Sequence, residues 1–153
     1  MSIIEAFIIR NAGGRLRSSI KDLIFLDTMT QEQVLRHVIV IHHTGTSPSP
    51  PLPLSLPLRS NKAPYLDCGY THATDEFLKT TLKAKNPALE KEIEDLYFGT
   101  YGSGDWQRLE ESVREDLRFL RKQPLIRQEA KDCSKGYVYD IKTGKLHAVV
   151  DED

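Results

Sequence analysis

Two side chains able to hold a soft metal ion, His43 and Cys68, stand near the ends of residues 38–69, VIVIHHTGTSPSPPLPLSLPLRSNKAPYLDCG. With residues 45–66 removed the stretch reads VIVIHHTDCG, an apolar β-branched run that ends in His-x-x-Cys. Imidazole nitrogen and thiolate sulfur are common zinc ligands, and this spacing at the C-terminal end of a buried parallel strand suits one tetrahedral ion. Catalytic zinc sites use three protein ligands and keep a further position for water. A third ligand is not evident here. His42 points to the opposite face of a strand from His43, and Cys133 belongs to a distant segment. The alternative for His43 is a satisfied buried histidine, and for Cys68 and Cys133 a buried or inert thiol.

The 22 residues 45–66 hold six of the eight prolines (Pro48, Pro50, Pro51, Pro53, Pro57 and Pro64), with only Arg59 and Lys62 charged. No helix or central strand survives that proline density. The segment is expected to be a disordered surface loop extruded from the mouth of the site. PSPPLP offers Pro-x-x-Pro, so a polyproline ligand is the functional alternative. A retained intron is the favoured origin: 22 codons are 66 nucleotides, a multiple of three, and both halves of the His-x-x-Cys motif stand intact around it. Codon degeneracy permits an opening GT in the Gly45 codon GGT and a closing TAG made by a Leu66 codon ending in TA and the first G of the Asp67 codon. A genuine loop insertion is the other origin.

The elements that must position these groups follow from periodicity. Residues 3–9 are a short apolar strand candidate, and RNAGGR after them supplies the paired glycines of a sharp strand-to-helix turn. From Leu16 to about Met29, Leu16, Ile20, Leu23, Ile24 and Leu26 share one helical face. Thr30 is a plausible N-cap for TQEQVLRH, with Gln33 at the capping-box position. Residues 38–41 are a strand. ATDEFLKTTLKAKN predicts a helix capped by Thr74 with Phe77, Leu78 and Leu82 on its buried side. Pro87 opens PALEKEIEDLYFG, with Leu89, Ile93, Leu96 and Tyr97 on one stripe and Gly99 as its stop. TYGSGDW lacks the residues of a phosphate cradle and is a connector. DWQRLEESVREDLRFLRKQP is a helix with Asp105 as cap, Leu109, Val113, Leu117 and Leu120 as its face, and Pro124 beyond its end. GYVYDIKTGKLHAVV predicts a hairpin about residues 142–145.

This alternation is α/β. A length of 153 residues and 39% apolar content suit one domain with an ordinary core. A net charge of −1 excludes a dominant nucleic-acid surface. No apolar run approaches membrane-spanning length and no secretory signal is visible, so a cytoplasmic location is the default. Two cysteines do not make a disulfide framework in such a chain.

The ordered set RNAGGR, HVIVIHHT followed by DCG, SVREDLRFLR and GYVYDIKTGKL resembles the β-class carbonic anhydrases, above all their compact archaeal, bacterial and fungal type. The likeness covers nearly the whole chain outside the insert. It implies one domain, formed by residues 1–44 and 67–153, built on a mainly parallel sheet flanked by helices, with a C-terminal hairpin. It also implies Zn²⁺ held through Cys, His and Cys, an Asp-Arg pair beside the first Cys, reversible hydration of CO₂ to bicarbonate, and dimers or higher oligomers. Carried over by residue, His43 and Cys68 are metal ligands, and no catalytic residue carries over. The first motif, Cys-x-Asp-x-Arg, belongs upstream of RNAGGR, yet the nine residues before Arg10 contain no Cys, Asp or Arg. The chain is therefore expected to be N-terminally truncated, to lack a central strand and to have little activity. The strands at 3–9 and 38–41 then pair directly, leave a gap or borrow a strand from another chain. The alternatives are a non-catalytic member that associates with an intact homologue, and an incomplete or mis-spliced product of an active enzyme's gene.

Overall fold

The computed structural model describes residues 6–29, 35–44, 70, 73–101 and 106–150. In chain order the elements are α1 (Leu16–Met29), β1 (Ile39–His43), α2 (Asp75–Lys85), α3 (Glu90–Glu94), α4 (Trp106–Arg121), α5 (Gln128–Asp132), β2 (Lys135–Asp140) and β3 (Lys145–Val149). The described sheet has the order β1-β2-β3. β1 runs parallel to β2, with Ile39 opposite Lys135 and His43 opposite Tyr139. β2 and β3 form the expected hairpin, antiparallel from Gly136–Val149 to Asp140–Lys145, and Gly144 takes the positive φ of 69° that its turn requires.

α4 organises the core. Leu109, Val113, Leu117 and Leu120 recur at helical spacing and all four are buried, as expected from the sequence. They meet Val40 of β1 and Val138 of β2, with Leu23 of α1, Ile126 and Ala130 closing the cluster. Each such side chain contributes about 1.5–3 kcal/mol by leaving water. The helix comes close because Gly136 faces it: a Cβ there would collide with Val113 Cγ1 and lie 3.0 Å from Leu117 Cδ1. β1 alternates in step, with Val40 and His42 buried while Ile39 and Ile41 stay exposed.

The described sheet joins one parallel pair to the antiparallel C-terminal hairpin, as the α/β reading expects. Other expectations need correction. Residues 6–9 form no strand, and Phe7, Ile8 and Ile9 are exposed. An apolar run becomes a strand only where a neighbour completes its ladder, and among the described residues β1 pairs with β2 alone. The helix beginning at Thr30 falls partly outside the described residues, and residues 35–37 are not helical.

Thr74 does cap α2, its Oγ1 accepting the Phe77 N–H at 3.1 Å, but α2 buries no residue and Phe77 is exposed. A 3₁₀ turn, Pro87–Leu89, opens the next segment, and α3 behind it is a short helix in which only Ile93 is buried. The expected stripe fails because α2 and α3 pack on each other at the rim, leaving Leu89, Leu96 and Tyr97 exposed. α5 was not foreseen, since five residues are too few for periodicity to show. The insert 45–66 and the Asp105 cap lie outside the described residues.

Candidate metal centre

The RNAGGR segment packs against β1 on the His42 side. Asn11 Nδ2 donates to the Arg15 carbonyl at 2.9 Å and to Ser19 Oγ at 2.6 Å, closing the turn onto α1. Gly13 and Gly14 have φ of 73° and 68°, a region that glycine enters without penalty. Gly14 is doubly constrained, because a Cβ there would lie 2.8 Å from the Ile41 carbonyl oxygen and 3.2 Å from His42 Cδ2. The turn therefore rests directly on β1.

Arg15 then enters the core, only 4% exposed. Its guanidinium donates to the Ser112 carbonyl at 3.2 Å, to Tyr97 Oη at 3.0 Å and to Glu115 Oε2 at 3.0 Å, and lies 3.4 Å from Asp116 Oδ1. Burial alone would lower its pKa, but Asp116, Tyr97 and Glu115 together hold it above the ordinary arginine value. Each member of this cluster answers the desolvation of another.

His42 is fully buried and stacks on Tyr101, ring centroids 5.2 Å apart. Its Nε2 donates to Asp116 Oδ2 at 3.0 Å, since a carboxylate oxygen can only accept, and its Nδ1 lies 2.7 Å from Ser112 Oγ. Asp116 Oδ2 also accepts the Leu16 N–H at 2.9 Å, so one carboxylate ties α4 to the start of α1 and to β1. Tyr101 Oη donates to the Gly13 carbonyl and fixes the turn from the other side. Sequence reading treated His42 only as a stand-in ligand. Ser112 and Asp116, four apart on the buried face of α4, were the signal that a polar partner waited on β1.

His43 sits one residue on, half-buried, at the C-terminal end of β1. Its Nδ1 contacts the Thr44 carbonyl at 3.1 Å. A carbonyl only accepts, so Nδ1 donates in this contact, as the second nitrogen of a metal-bound imidazole does when a backbone oxygen holds it. The expected opposition of the two adjacent histidines is therefore seen. Cys68 lies outside the described residues. Among the described residues no three His, Cys, Asp or Glu side chains gather as a metal site. Cys133 follows α5 and is exposed, which removes the buried half of a reading that expected a buried or inert thiol. His43 thus presents one imidazole at the end of β1, and the donor set among the described residues stops there.

Beside the cluster opens a cleft of about 390 Å³ lined by Arg15, Thr74, Asp75, Tyr97, Thr100 and Glu115 among others. Asp75 is committed to structure: Oδ2 accepts the N–H groups of Phe98 and Gly99 at 3.1 Å each, and Oδ1 accepts Thr100 N–H at 2.9 Å and Thr100 Oγ1–H at 2.6 Å.

No protein-family profile matches the chain, and no curated protein does. Solved structures do. The chain is similar to a carbonic anhydrase from Glaciozyma antarctica, at 29% identity and a TM-score of 0.60 over 93% of this chain and 66% of that one. It is similar to a carbonic anhydrase from Streptococcus mutans at 27% identity and a TM-score of 0.63, over 98% of this chain and 70% of that one. A carbon disulfide hydrolase, 21% identical with a TM-score of 0.55, shares the fold. Taken with the RNAGGR turn packed on β1 and the His-His end of that strand, these likenesses give the chain the fold of the carbonic anhydrases to which it is similar.

Proposed function

We propose that His43 and Cys68 are ligands of a Zn²⁺ site for the reversible hydration of CO₂ to bicarbonate, and that residues 1–153 by themselves hydrate CO₂ poorly. The observation that carries the metal assignment is the His43 ring at the C-terminal end of β1, its Nδ1–H turned onto the Thr44 carbonyl. That bond orients the imidazole so that Nε2 would be its ligating atom. Cys68 would add a thiolate. A zinc ion held there would supply the Lewis acidity that lets water ionise near neutral pH. The weakness follows from ligand count, since the 153 residues hold no cysteine before Cys68 and catalytic zinc sites use three protein ligands. Closing the segment between His43 and Cys68 adds an entropic cost that a two-residue spacer does not.

The assignment is tested by zinc titration of the chain and of His43→Ala and Cys68→Ala. Each substitution is expected to abolish the residual binding; binding unchanged in His43→Ala would reject the assignment. A second reading, association with a second copy or an intact homologue, is favoured by the exposed Ile39 and Ile41 on a strand that pairs on one side among the described residues. Sedimentation of the purified chain separates the two, a strict monomer counting against association.

A further inference from the structure

We infer that Asp116 is a positioning residue for His43: by clamping His42 it decides which of two adjacent histidines faces the metal side. The inference rests on the proposed reading of His43 as a ligand and concerns how this chain selects it.

A β-strand's side chains alternate, so a slip of one residue that carries Ile41 into the place of His42 also carries His42 into the place of His43. The ladder constrains that slip weakly here. β1 has five residues and, among the described residues, pairs on one side only. The neighbouring residues Ile39 and Ile41 are apolar like Val40, so hydrophobicity alone opposes a slip less than it would in a strand of alternating polarity.

The polar contacts break that near-degeneracy. Asp116 Oδ2 receives His42 Nε2 at 3.0 Å and the Leu16 N–H at 2.9 Å, and Oδ1 lies 3.4 Å from the Arg15 guanidinium. Ser112, one turn earlier on α4, meets His42 Nδ1 at 2.7 Å while donating to the Leu109 carbonyl. Both ring nitrogens of His42 are thus addressed from a single helix face. A buried carboxylate that keeps the Leu16 N–H and Arg15 but loses its imidazole gives up part of what offsets its desolvation, so the slipped register is penalised at the residue next to the ligand. Buried polar groups that fix register are the best-attested use of such pairs.

Histidine ring spectroscopy on the metal-free full chain reads this out. With ¹⁵N-labelled histidine, His43 is expected to show one tautomer, protonated at Nδ1. In Asp116→Asn, with circular dichroism and cooperative melting retained, that signature is expected to give way to the averaged pattern of an imidazole exchanging tautomers. An unchanged His43 signature in a folded Asp116→Asn overturns the inference, because a carboxylate that only stabilises the fold would lower the melting temperature and leave the His43 tautomer alone. Should Asp116→Asn not fold, Ser112→Ala removes only the Nδ1 partner; a partial shift of His43 toward tautomer averaging supports the inference, and no shift overturns it. A zinc titration of the same samples keeps the two readings apart. Loss of the signature in the variant with no zinc response at His43 Nε2 of the unsubstituted chain retains the positioning role and discards the metal assignment. Equal zinc responses in both proteins, with the signature unchanged, do the reverse.

Discussion

Asp75 begins α2, and its carboxylate gathers the N–H groups of residues 98–100 as well as the Thr100 hydroxyl. Burial pushes its pKa up, but the hydroxyl and the three backbone donors outweigh burial and hold the carboxyl below its ordinary value of 3.8. A depressed folded-state value means the stabilisation is fully present above the ordinary value and is lost as pH falls through the folded one. Asp75→Ala is expected to cost about 2 kcal/mol at pH 7, the worth of a charge-assisted hydrogen bond. Its deficit in urea midpoint against the unsubstituted chain should shrink once pH drops below 3.8. A deficit independent of pH would refute that account. The same scale shows what the sequence could not reveal. Thr74-Asp75 advertises a helix start, yet nothing local says that Asp75 also closes a loop more than twenty residues away. His43 was legible because a ligand at a strand end has a spacing, whereas the partners of His42 lie seventy residues on and become neighbours only when α4 packs on β1.

Among the elements, α4 was readable in full because its apolar residues keep one period over sixteen residues and the packing uses all of them. The short elements were not: α3 and α5 each span five residues, and the exposure of residues 6–9 depends on which strand lies beside them rather than on their own composition. Two glycines set how closely the elements approach. Gly136→Ala puts a methyl group against Val113 and Leu117 on α4, and about 1–3 kcal/mol of overpacking is expected from equilibrium unfolding. Gly14→Ala adds a left-handed backbone strain of about 1–2 kcal/mol to a 2.8 Å approach to the Ile41 carbonyl. It should therefore disturb the end of β1 more than Gly136→Ala does. Hydrogen exchange at Ile41 and His42 distinguishes the two: faster exchange there in Gly14→Ala than in Gly136→Ala is expected, and the reverse order contradicts the proposed seating of the turn.

For the whole molecule, the carbonic anhydrase-like fold was legible because four motifs stand in the order the resemblance expects across the chain. The sheet's composition was less so, because the resemblance predicts a strand set fuller than the one described. Removing residues 45–66 brings His43 and Cys68 to His-x-x-Cys spacing, and the shortened chain is expected to bind zinc more tightly than the long one; equal affinities would deny the insert any part in weakening the site. Transcript sequencing tests the intron origin, since messages that all keep the 66 nucleotides would exclude it. The most direct test of the account is zinc content and stopped-flow CO₂ hydration on the purified 153-residue chain. Zinc well below one ion per chain and a rate near the uncatalysed one are predicted. Stoichiometric zinc with enzymatic turnover would contradict the account and require another group to complete the ligand set around His43.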